Sequence, residues 1–162
     1  MIKNVGLAAA AIAAAFAVNP ACAQDASGAR IGVELGVLDD DFLGTDEASY
    51  GFLAGYDFDL GGAVAGPLVG YTAAFDDEFD TRELSIGGRI GTKLDAGSLF
   101  YGAVSYSNID ADYVAGSVDG VKFGLGFEKD FGGFYANIET RYGTYDYDLE
   151  LYQTLVGAGV KF

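Results

Sequence analysis

The chain has no histidine and one cysteine, Cys22, in 162 residues. Without an imidazole it lacks the usual base or nucleophile activator of hydrolases and acyltransferases, so the sequence reads as a non-enzyme that needs no cofactor. Cations are scarce too. Nine Lys and Arg face 24 Asp and Glu, which excludes nucleic-acid binding by charge attraction. There are two prolines, Pro20 and Pro67, and one long apolar run, Val5 to Val18.

That run belongs to a leader. Lys3 precedes it, and Asn19-Pro20 and Ala21-Cys22-Ala23 follow it. Small residues at the last and third-last positions suit a signal peptidase, so residues 1–23 read as a signal peptide and 24–162 as the mature domain. The run is shorter than the roughly 20 apolar residues of a membrane anchor. Asn19 stands where a lipoprotein signal usually carries an aliphatic residue, which argues against lipidation at Cys22. Cleavage removes Cys22 and Lys3. The mature 139 residues then form one domain with no disulfide and a formal charge of −16.

What the mature chain has in abundance is alternation. Side chains of a strand point to opposite faces in turn. Ile31, Val33, Leu35 and Val37 share one face in a strand over 29–38, and Tyr50, Phe52, Ala54, Tyr56 and Phe58 do so over 49–58. A third strand is placed from near Pro67, because proline suits a first strand position or a bulge. A fourth carries Leu84, Ile86 and Ile90. The fifth, 99–107, is ambiguous in phase, and Phe100, Val104 and Tyr106 are taken as its apolar face. Val121, Phe123, Leu125 and Phe127 mark the sixth, and Phe134, Ala136, Ile138 and Tyr142 the seventh. The eighth, from Leu149, aligns Tyr152, Val156, Val160 and Phe162. Gly124-Leu125-Gly126 starts no dinucleotide fingerprint, because Lys129 holds the third glycine position.

Short glycine-bearing turns alternate with longer loops at 39–48, 76–81, 108–119 and 144–149. Those loops hold 14 acidic residues and no Lys or Arg. Eight strands with this two-ended asymmetry predict an all-β, antiparallel, up-and-down barrel. The face opposite the apolar one is ionic and rich in glycine, including Gly32, Gly51, Gly87, Gly124 and Gly157. Glycine is depleted in ordinary strands. It makes sense where an eight-stranded barrel has barely room for side chains inside. The expected barrel is therefore apolar outside and ionic inside.

The terminal strand ending on Phe162, and Ile138-Glu139-Thr140-Arg141-Tyr142 in the seventh, resemble the small Gram-negative outer-membrane barrels of the opacity, OmpX/Ail and OmpA-barrel kind. That resemblance implies an outer-membrane location, contact with its lipids, and recognition of Phe162 by the barrel-assembly machinery.

Inside the barrel, Glu34, Arg89, Glu139 and Arg141 are expected near mid-height, with Lys122, as a salt-bridge network, since buried charges of opposite sign pair. The network reads as a plug. A narrow channel for small solutes or cations is the alternative, and a soluble periplasmic ligand-binding barrel the third reading. The acidic runs Asp39-Asp40-Asp41 and Asp76-Asp77-Glu78, and the pair Asp110 and Asp112, are weak candidates for Ca²⁺ or Mg²⁺. A hydrated negative rim is the plainer reading. The expected state is a monomer with a structural, envelope-protective or adhesive role.

Overall fold

The computed structural model describes residues 27–40, 45–75, 81–111, 117–146 and 149–162. The proposed leader, Asp41, Asp112, and Asp76, Asp77 and Glu78 lie outside them. The described residues form eight strands: β1 (Gly28–Asp40), β2 (Thr45–Asp59), β3 (Ala63–Ala74), β4 (Thr81–Asp95), β5 (Ser98–Ala111), β6 (Ser117–Asp130), β7 (Phe134–Tyr145) and β8 (Leu149–Lys161). Each pairs antiparallel with its chain neighbour, and β8 closes on β1. The seam runs from Arg30 opposite Lys161 to Asp40 opposite Leu151. The Phe162 N–H adds a bond to the Ala29 carbonyl at 2.9 Å.

The faces are as alternation demands. Phe123, Phe127, Ile138 and Val156 are exposed, at 41–56%, while Arg89 and Glu139 are about 95% buried. Such a surface has no place in water. It matches a lipid-facing band on a closed sheet, whose backbone groups bond to neighbouring strands. Aromatic rings lie near both ends of that band. Tyr50 and Phe75 meet at 4.9 Å and Tyr142 and Tyr152 at 5.1 Å towards the acidic end. Tyr56 with Phe58 and Phe131 with Phe134 do the same near the short turns. These are the girdles of a lipid–water boundary.

Two of the three short turns share one construction. In Asp59-Leu60-Gly61-Gly62 and Asp130-Phe131-Gly132-Gly133, the first carboxylate accepts from the N–H of the third residue, at 2.8 and 2.7 Å. That glycine has φ of +85° or +86°, a region that residues with a Cβ avoid.

Three expectations need correction or completion. β3 starts at Ala63, not near Pro67. Pro67 sits inside the strand at a gap in the β2–β3 ladder, where Tyr56–Asp57 and Gly66–Pro67 go unpaired while the register is kept. Proline has no N–H for that ladder. The fifth strand has the phase chosen for it, with Phe100 outside and Tyr101 2% exposed inside. The longer loops are shorter than expected, because strands enter them: β5 runs to Ala111 and β6 starts at Ser117. Strands of 12–15 residues exceed the roughly 9–11 that cross a bilayer. Their acidic ends therefore extend past the outer girdle.

Candidate lumenal site

The interior is filled by charged side chains at two levels with a third group above them. Nearest the short turns, Glu128 accepts from three cations at 2.8 Å each: Arg30, Arg89 and Lys161. Asp57 takes both Nε and Nη2 of Arg89, at 3.0 and 2.6 Å, and Nη1 of Arg30 at 3.4 Å. Arg30 also lies 4.1 Å above the Tyr135 ring, and Arg89 4.9 Å from that of Tyr101. The cluster links β1, β2, β4, β6 and β8 across the bore.

Above it, Arg141 grips Glu34 with both Nη atoms, at 2.9 and 2.7 Å, and gives Nε to Glu139 at 2.7 Å. This two-pronged pairing is among the stronger ionic contacts available. The Tyr101 hydroxyl donates to Glu139 at 2.7 Å, and Asn137 donates to that hydroxyl at 3.0 Å. Higher still, Glu83 pairs with Lys122 at 2.8 Å and accepts from Tyr145 at 2.8 Å and from Ser107. An apolar cap of Ile109, Val118 and Tyr145, packed with Leu149 and Leu151, covers this group towards the acidic end.

Five cations (Arg30, Arg89, Lys122, Arg141 and Lys161) thus meet five carboxylates (Glu34, Asp57, Glu83, Glu128 and Glu139) inside the barrel. The lumen is neutral. Carbon-free space beside glycines admits the rings: a Cβ on Gly126 would stand 2.4 Å from the Tyr101 ring, and one on Gly32 would stand 2.4 Å from the Tyr135 hydroxyl. A small void of about 30 Å³ among the described residues is bordered by Leu53, Leu68, Ser85, Ala103, Lys122 and Arg141.

Of the residues singled out from sequence, Glu34, Glu139 and Arg141 come together. Lys122 pairs with Glu83 instead, and Arg89 joins Asp57 and Glu128 at a lower level. The reason is shear. One hydrogen-bonded row runs from Arg89 through Ala103 and Gly124 to Arg141. Strands tilt in a barrel, so such a row climbs the wall and its ends differ in height. Arg30, Asp57, Glu83, Glu128 and Lys161, with Tyr101, Tyr135 and Tyr145, complete the groups beyond the expected network. Parity places Arg30, Asp57, Glu128, Lys161 and Tyr135 on the inner face but does not give their partners. Asp39 and Asp40 lie on β1, opposite Asp46 and Thr45. Among the described residues no three potential metal-ligating side chains stand together.

No family model matches the chain, and no curated protein sequence matches it. Solved structures do. The chain is similar to Neisserial surface protein A, with 14% identity over 85% of this chain and 98% of that one, at a TM-score of 0.59. It is similar to Ail, the attachment invasion locus protein of Yersinia pestis, with 16% identity over 84% and 97% and a TM-score of 0.57; that structure holds the heparin analogue sucrose octasulfate. The N-terminal β-barrel domain of Pseudomonas aeruginosa OprF gives 14%, 84%, 99% and 0.64. The fold is that of the small outer-membrane barrels. At these identities the likeness concerns architecture.

Proposed function

We propose that this protein is a sealed monomeric barrel of the outer membrane that acts through its outer surface, in a structural, envelope-protective or adhesive role. Cleavage after Ala23 and recognition of Phe162 by the assembly machinery form its route to the membrane. The observation that supports the reading is the filled lumen. Two ion clusters, the Glu83 group and an apolar cap stand in series across the bore. Eight strands leave little room besides.

The outer surface is where the charge is. From Asp39 to Glu47, Asp76 to Asp80, Asp110 to Asp119 and Asp146 to Glu150 there are 15 acidic residues, and Arg82 is the one basic residue at that end. A polyanion of the kind seen on Ail is the wrong sign for this surface. A cationic partner fits it.

Planar-bilayer recording tests the seal. The expected result is a quiet bilayer for the wild type at moderate voltage. Steady unitary openings that change with Glu34→Ala or Arg89→Ala would replace this reading with the narrow channel.

A further inference from the structure

The outer wall carries a groove of about 590 Å³. Its floor is one row of residues that point inward: Gly159, Gly32, Leu53, Gly70 and Ser85, each opposite the next across the ladder. Two rows of outward side chains flank it. On one side stand Val160, Ile31, Ala54 and Val69; on the other Ala158, Val33, Phe52, Tyr71 and Leu84. The lumenal side of Gly32 and Gly159 is filled by Tyr135, which takes no part in the lining. The groove therefore opens outward, into the apolar band. Ala54 and Ala158 break the flanking rows with small side chains and widen it.

At its β4 end the groove stops at Leu84. Two residues on, about 7 Å along the strand, is Arg82, exposed and on the same outward face. Arg82 shares a hydrogen-bonded row with Ala73 and Tyr50, and it faces Asp110 across the ladder. It is the only basic residue at an end that otherwise repels anions. A guanidinium has five donors, enough for a carboxylate and a phosphate oxygen together.

We infer that the groove holds one acyl chain of a phosphate-bearing lipid of the outer leaflet, with the phosphate on Arg82. The inference rests on the membrane placement. The groove's continuity with the lipid-facing band identifies the occupant as a lipid. The lone cation beside its outer end selects the headgroup. The groove, about 590 Å³ along one row of the wall, suits a single chain and not a helix.

The test uses the folded barrel in vesicles containing phosphatidylglycerol with a diazirine in one acyl chain. Irradiation and peptide mapping should place adducts mainly on β8, β1, β2 and β3. The pair Ala54→Phe and Ala158→Phe should abolish that preference while heat-dependent gel mobility shows the barrel still folded. Arg82→Gln should lower labelling by about tenfold, the value of one charge-assisted hydrogen bond, and should leave labelling by a diacylglycerol with the same chain unchanged. Even labelling around all eight strands, or labelling indifferent to both sets of variants, overturns the proposal. Failure to co-float with vesicles would instead overturn the membrane placement.

Discussion

At the residue scale the interior depends on a few multiply bonded groups. Glu128 serves Arg30, Arg89 and Lys161 together. Removing it leaves Arg30 and Arg89 with Asp57 as their one carboxylate in the cluster, and Lys161 with Asp130 at 3.4 Å. Breaking a buried ionic group from one side costs about 3–5 kcal/mol. Glu128→Ala should therefore lower unfolding stability by that amount in urea titrations in detergent, and the double variant Glu128→Ala with Arg89→Met should recover part of the loss. Equal stability of Glu128→Ala and the wild type would mean that water already solvates the site. Parity along a strand puts these residues inside. It does not tell which will meet, because partners come from register and tilt. Arg89 shows the difference: its inward direction follows from Gly87, Arg89 and Gly91 facing Ile86, Gly88 and Ile90, but its level does not.

Elements obey a different logic. Strand number and the faces of nearly all strands are legible from apolar alternation, because lipid tolerates only apolar residues on one face. Strand ends are not legible. Once a strand leaves the lipid, its outward face becomes polar while Ile109 and Val118 turn inward, so the apolar side switches and 108–111 and 117–119 look like loop in sequence and are strand in fact. Pro67 misleads for a related reason: a gap in one ladder tolerates it in mid-strand. The Asp-x-Gly-Gly turns are the best-marked elements, since a carboxylate cap and a glycine at positive φ occur together twice. Gly132→Ala should cost about 1–2 kcal/mol through that backbone angle, read as a lower midpoint in denaturant, while Gly62→Ala, with open space around its Cβ and an ordinary φ, should cost less than half as much. Equal costs would show that the turn does not depend on the left-handed conformation.

As a whole, the molecule separates its charges. The lumen is neutral, and the outer end carries nearly all of the net charge. Attraction at such a surface is long-ranged and weakens within a Debye length of about 10 Å at 0.1 M salt. Vesicle-borne barrel should bind polylysine at low ionic strength and release it as salt rises, and it should not bind heparin. Salt-independent heparin binding would show that charge does not choose the partner.

The central claim is that the apolar faces meet lipid and the ionic faces meet each other. Single-cysteine variants along β6, from Val121 to Glu128, carry spin labels whose collisions with oxygen and with a water-soluble nickel chelate report lipid and water. Residues 24–162 contain no cysteine. Oxygen collisions should peak at positions 121, 123, 125 and 127 and fall at 122, 124, 126 and 128. A reversed pattern, or one without a period of two, would contradict the account.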